Sequence, residues 1–124
     1  MAVIKRLPDS EFEIMRVIWE STPPVTTLQI MDKLRACKDW KPQTVLTMLI
    51  RLIEKGFLQS DRIGRERNYT PAVSQRDYLM IETGDFINRY SGNSIGSLIK
   101  TLYDGEALSQ EDLRELREWL EERK

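Results

Sequence analysis

With 124 residues, 40% of them hydrophobic and 31% charged, the chain has the apolar content for a packed core and the length of one domain or two very small ones. No run approaches the ~20 apolar residues that span a bilayer. The first seven residues carry Lys5 and Arg6 but no apolar h-region, so no membrane insertion and no signal peptide are expected, and the cytoplasm is the default compartment. Cys37 is the sole cysteine and histidine is absent, which excludes a disulfide framework, the usual Cys/His zinc sites and histidine acid–base chemistry; no metal, cofactor or catalytic residue is expected. Cys37 reads as a small, partly buried apolar residue. The net charge of −1 hides an asymmetry: residues 1–73 hold 12 Lys+Arg against 9 Asp+Glu, and residues 74–124 hold 7 against 11. The first part is therefore +3 and the second −4, so a cationic surface belongs to the first.

In chain order, Leu7-Pro8-Asp9-Ser10 opens a first helix. Ser10 with Glu13 has the form of a capping box, with Asp9 as a rival cap. Phe12, Met15, Ile18 and Trp19 keep helical spacing to Glu20. Pro23-Pro24 forbids continuation and favours an extended connector. Thr26 or Thr27 then caps a second helix with Leu28, Ile30, Met31 and Leu34 as its apolar set, and Ala36 to Lys41 forms a turn.

The next helix is marked at both ends. Pro42 suits a first turn, where a missing N–H is harmless, and Gly56 suits the residue just past the end, where positive φ is wanted. Val45, Met48, Leu49, Leu52 and Ile53 make one apolar stripe. Gln43, Thr44, Thr47, Arg51 and Lys55 lie off it. Taken alone this is a solvated face, but the adjoining residues 57–71 give it another meaning. Phe57 to Ile63 is strand-like, Gly64-Arg65 is a turn, and Glu66 to Thr70 returns as a second strand stopped by Pro71. A helix feeding a hairpin that carries Arg62, Arg65 and Arg67 is the recognition-helix-plus-wing layout of a winged helix-turn-helix.

Past a boundary at about residues 72–74, Ser74 caps a helix over 75–90 with Tyr78, Leu79, Ile81, Phe86, Ile87 and Tyr90. Gly84 weakens it by about 1 kcal/mol relative to alanine. A turn over 91–94 precedes a short helix, Ile95 to Tyr103, ended by Asp104-Gly105. Ser109 starts a last helix with Leu113, Leu116 and Leu120 on one face and Trp119 beside it; Glu115, Glu118, Glu121 and Glu122 form its solvated side. Fifty residues of short helices bury too little surface alone. A homodimer is the economical answer, packing back on residues 1–73 the other. The expected fold is mainly α with a small β-hairpin wing: a winged helix-turn-helix DNA-binding domain over 1–73 and a three-helix dimerisation domain over 74–124.

The run Asp39-Trp40-Lys41-Pro42-Gln43-Thr44-Val45, then Thr47, Arg51-Leu52 and Lys55-Gly56, resembles the penicillinase-repressor (BlaI/MecI) family. The likeness continues in Tyr69-Thr70-Pro71, Phe86-Ile87-Asn88, Ser97-Leu98 and Leu108-Ser109-Gln110-Glu111-Asp112, from about residue 7 onward. The resemblance implies a dimeric repressor of a near-palindromic operator, often upstream of β-lactamase or penicillin-binding-protein genes. Its relief would come from a membrane sensor-protease that cuts the dimerisation helix. The cut in such proteins falls at an Asn-Phe bond; the same frame here puts Thr101–Leu102 at the bond, with neither residue matching. Gln43 stands where lysine is often found, offering an amide suited to adenine. Copper-responsive relatives carry a C-terminal cysteine cluster that this chain lacks.

The expected partners are double-stranded operator DNA and a second copy. Lys41, Gln43, Thr44, Thr47, Arg51 and Lys55 on the helix, with Arg62, Arg65 and Arg67 on the wing, would contact DNA. Cations would neutralise phosphates and release counterions, while Gln43, Thr44, Thr47 and Arg51 would supply base readout. Phe86, Ile87, Leu98, Leu102, Leu113, Leu116 and Leu120 would form the dimer. The alternatives are a winged-helix regulator of another stress regulon and a winged-helix module that docks a protein.

Overall fold

A computed structural model describes residues 4–36, 38–90, 92 and 94–123, which leaves Cys37 and part of the expected 91–94 turn outside the described residues. The chain divides into two compact units, residues 1–85 and 86–124.

The first unit begins with α1 (Asp9–Trp19). The helix starts at Asp9 with Pro8 at its N-cap and no side-chain cap, so neither Ser10 nor Asp9 plays the expected capping role. Pro8 already fixes the entry at φ −58°, and its carbonyl accepts from the Phe12 amide at 2.9 Å. Asp9 and Glu11 stand in the first turn, where negative charge meets the positive end of the helix dipole. The connector after Pro24 is more than extended backbone: Val25–Thr26 forms a two-residue strand, β1. Thr26 also caps α2 (Thr27–Arg35) through a capping box, with its Oγ1 accepting from the Gln29 amide at 3.1 Å and its own amide donating to Gln29 Oε1 at 2.9 Å.

Next comes α3 (Pro42–Glu54), with Pro42 in its first turn and Lys55 at its C-cap. Gly56, at φ 86°, closes it in a Schellman motif: its amide donates to the Ile53 carbonyl at 3.1 Å and the Phe57 amide to the Leu52 carbonyl at 2.9 Å. The chain leaves directly into β2 (Leu58–Ile63), turns at Gly64-Arg65, and returns as β3 (Glu66–Pro71). Gly64, at φ 65°, is the first residue of a two-residue turn, the type II′ arrangement that matches strand twist. The sheet has the order β1-β3-β2 and is antiparallel throughout, with Val25 opposite Tyr69 and Arg62 opposite Arg67.

The core joins Ile14, Met15 and Ile18 of α1, Ile30 and Leu34 of α2, and Val45, Met48, Leu49 and Leu52 of α3 with Phe57, Leu58 and Tyr69. Each such side chain contributes roughly 1.5–3 kcal/mol by burial. Tyr78, from α4 (Gln75–Arg89), belongs to this same core and is 1% exposed. Its ring meets Phe12, Trp19 and Phe57 at 5.5–5.8 Å between centroids. Its hydroxyl accepts from the Leu7 amide at 2.7 Å, and burial pushes the phenol pKa up. Trp19 Nε1 donates to the Val73 carbonyl at 2.9 Å, and Arg6 pairs with Glu82 at 3.0 Å. These contacts carry the first compact unit past residues 72–74 and through Asp85.

In the second unit, α5 (Ile95–Asp104) is capped by Ser94, whose Oγ accepts from the Ser97 amide at 3.0 Å. It ends in a Schellman motif whose left-handed residue is Glu106, at φ 64°, while Gly105 keeps φ −83°. The Ala107 amide donates to the Leu102 carbonyl at 2.8 Å, the Glu106 amide to the Tyr103 carbonyl at 3.0 Å. A capping box joins Ser109 and Asp112 at the start of α6 (Gln110–Glu121), and those hydrogen bonds hold the Asp112 carboxyl below its usual range. Neither α5 nor α6 contains a fully buried residue. Among the described residues, no helix is long and apolar enough to cross a membrane.

Candidate nucleic-acid interface

Burial of Val45, Met48, Leu49 and Leu52 fixes how α3 is turned. At 3.6 residues per turn, the opposite direction runs through Gln43, Thr47, Ile50 and Glu54, with Thr44 and Arg51 to one side. Gln43, Thr44 and Arg51 are exposed and Thr47 is half-buried. The Thr47 hydroxyl donates along the helix to the Gln43 carbonyl at 2.9 Å, which leaves its oxygen free to accept. A depression of about 380 Å³ lies along this side of α3, lined by Gln43, Thr44, Thr47, Met48 and Arg51 with Trp40 and Ser10. Trp40 is half-buried against the core, so it both anchors the start of α3 and forms a wall of the depression. Ser10, absent from the expected site, lines it from the first turn of α1; no local sequence spacing carries that information.

Lys41 is exposed at the N-cap of α3 and supplies no side-chain cap, so the first amides of the helix have no side-chain partner there. Lys55 goes elsewhere. Its ammonium meets Glu11 Oε1 at 2.5 Å, and Glu11 is 3% exposed. The last cation of the helix thus holds α3 to α1. Ile50, outside the expected set although it sits between Thr47 and Arg51, is 56% exposed.

On the hairpin, side chains alternate between faces. Arg62 and Arg67 are directly opposite one another and share a face with Ser60, whose Oγ accepts from Arg67 Nη1 at 2.9 Å. Asp61 and Glu66 point to the other face, and Arg65 occupies the turn. Among the described residues, none of Arg51, Arg62, Arg65 and Arg67 lies in ion-pair range of a carboxylate. Like charges directly opposite weaken a hairpin. Two facing arginines therefore suit an external anion better than they suit the isolated fold. Among the described residues, no group of three His, Cys, Asp or Glu side chains is placed to hold a metal.

The residues expected to dimerise fall into two classes of exposure. Ile87, Leu98, Leu113 and Leu116 are half-buried within their unit, while Phe86 (43%), Leu102 (41%) and Leu120 (53%) are exposed. Thr101 and Leu102 lie inside α5, and Thr101 Oγ1 donates to the Ser97 carbonyl at 3.0 Å.

Known proteins share both sequence and fold with this chain. A family model described as penicillinase repressor matches residues 7–122. The chain is 35% identical over 124 residues to the penicillinase repressor of Bacillus licheniformis, covering all of this chain and 96% of that protein. It is 29% identical over 111 residues to the methicillin resistance regulatory protein MecI of Staphylococcus aureus N315, covering 90% and 89%. The solution structure of the DNA-binding domain of the repressor BlaI superposes with a TM-score of 0.56 at 38% identity, covering 63% of this chain and 94% of that one. That of the Bacillus licheniformis BlaI monomeric form in complex with the blaP half-operator gives 0.53, with the same identity and coverage. Residues 7–122 therefore make this chain a member of the penicillinase repressor family, with a winged helix as its DNA-binding fold.

Proposed function

We propose that two copies of this chain bind one near-palindromic operator as a repressor, that the operator controls β-lactamase or related antibiotic-resistance genes, and that proteolysis in α5 ends repression. The observation that carries this reading is the set of guanidinium groups of Arg51, Arg62, Arg65 and Arg67, exposed and, among the described residues, without carboxylate partners. The 38% identity to a BlaI form solved on a half-operator supports DNA as the anion they meet. The names of the relatives, penicillinase repressor and methicillin resistance regulatory protein, support the class of genes. A DNA partner keeps the protein in the cytoplasm.

Binding divides into two tasks. Lys41 and the wing arginines take phosphates, fix the register of α3 and release counterions. The open amides at the start of α3 add a partial positive charge in the same place. Gln43, Thr44, Thr47 and Arg51 then meet base edges in the major groove, Gln43 with the amide geometry that adenine accepts. Lys55 anchors α3 through Glu11 and keeps that helix at its working angle.

A second copy is the partner for the apolar side of residues 86–124. Phe86, Leu102 and Leu120 remain largely open to water within one chain, and α5 and α6 bury nothing completely. Joining two copies sets the spacing of two recognition helices near one turn of DNA, ~34 Å. A membrane sensor-protease is the proposed inducer, with Thr101–Leu102 as the bond cut. Because that bond is helical, cleavage requires α5 to unwind locally first. The same machinery on another stress regulon is the second reading, favoured by the Thr-Leu pair at the position of the family's Asn-Phe cut.

The test is fluorescence anisotropy with duplex from upstream of the chain's own gene, against random duplex, over a range of salt. A sequence-preferring complex whose affinity falls steeply with salt is expected. No complex in dilute buffer, or one indifferent to salt, overturns the proposal.

A further inference from the structure

Ile50 is a large apolar side chain placed where α3 is most open to water. The four buried residues of α3 fix the inner face, and Gln43, Thr47 and Ile50 run along the opposite one. At 56% exposure Ile50 contributes little to the core. A lone exposed isoleucine is ordinary; its company is not. One turn away stand Leu46 and Ile53, half-buried against the core, and Thr47 and Glu54, which carry a hydroxyl and a carboxylate; Gln43 adds an amide two turns back on the same line. A surface meant only for water has no use for an exposed apolar residue beside those polar groups, and a surface meant for base edges has one. The apolar feature that a base pair shows in the major groove is the C5-methyl group of thymine.

We propose that Ile50 packs against a thymine methyl group and makes that base a determinant of operator choice. The inference rests on the reading of α3 as the DNA-recognition helix. The side chain suits the task physically. A β-branched residue in a helix has essentially one χ1 rotamer, so little freedom is lost when it is pinned against DNA. Ile50 stands seven positions from Gln43, about 10 Å along the axis. The two therefore reach different base pairs, and a methyl contact at one adds to an amide contact at the other.

The experiment uses the full chain and a duplex selected by it from a random library. Each thymine of the duplex is replaced in turn by deoxyuridine, which removes the methyl group and changes nothing else. At one thymine per half-site the replacement is expected to weaken the unmodified protein by about fourfold, the effect of unburying one such carbon. Ile50→Ala, a change to a better helix former at an exposed position, should bind the thymine and uracil duplexes equally there. Uracil sensitivity that is the same in both proteins at every position overturns the inference while leaving DNA binding intact. Failure to select any duplex from the library overturns the DNA reading itself, and the role of Ile50 with it.

Discussion

The buried Glu11 carboxylate meets the Lys55 ammonium at 2.5 Å, and that contact decides what each side chain does. Removing the ammonium leaves a carboxylate stranded under α1. Lys55→Met should therefore cost about 1–3 kcal/mol of stability, measured by urea unfolding, the discount from a fully buried pair reflecting the 42% exposure of the lysine side chain. The salt slope of DNA binding should stay unchanged. A slope reduced by about 1 would make Lys55 a phosphate contact after all. Arg51→Ala is the counterpart: no loss of stability, but a loss of ~1–3 kcal/mol in specific binding that random duplex does not share. An equal loss on both duplexes would reduce Arg51 to a backbone contact. The difference between the two residues is half visible in the chain itself. Helical spacing places both off the apolar stripe of α3. It carries no information about Glu11, which is 44 positions away in sequence.

At the scale of elements, helix ends reward two measurements. Glu106 occupies the left-handed position that closes α5, where a side chain with a Cβ is strained. Glu106→Gly should raise stability by about 1 kcal/mol in thermal unfolding; an unchanged or lowered midpoint would mean the glutamate is otherwise held. At the start of α6, backbone and side-chain hydrogen bonds with Ser109 lower the Asp112 pKa below 3.8. A depressed folded pKa stabilises the folded form above the ordinary value and ceases to do so as pH falls through the lowered one. Helix content should thus drop below about pH 4 in the wild type, and Asp112→Asn should flatten that portion of the titration followed by circular dichroism. The ends of α3 are legible in Pro42 and Gly56, and the α6 cap in Ser109 and Asp112. The start of α1 is not, because Pro8 sets the entry and a Ser-x-x-Glu spacing two residues later competes with it. Nor is β1, since two residues show no periodicity and their pairing with Tyr69 and Asn68 is long-range. The α5 end misleads for a related reason: Gly105 is the obvious residue for positive φ, but the hydrogen bonds from Glu106 and Ala107 put it one position later.

For the whole molecule, the question is where DNA binding ends and assembly begins. The Pro71 stop and the change of net charge about residue 73 suggest a division there, but Tyr78 lies in the first core and its hydroxyl takes up the Leu7 amide. A fragment ending at Val73 uncovers parts of Phe12, Trp19 and Phe57 and leaves the Leu7 amide without its acceptor. A fragment of residues 1–85 keeps all of these contacts and should unfold cooperatively, whereas 1–73 should be markedly less stable. Neither retains the apolar side of residues 86–124. In sedimentation equilibrium the full chain should be a dimer at micromolar concentration and 1–85 a monomer. Two linked half-site contacts exceed one by the effective concentration of the second, so 1–85 should bind a palindrome about 10²–10⁴-fold more weakly than the full chain. It should bind a single half-site about as well as the full chain does. If 1–85 held the palindrome as tightly as the full chain, the second copy would have no part in repression, and cutting α5 could not relieve it.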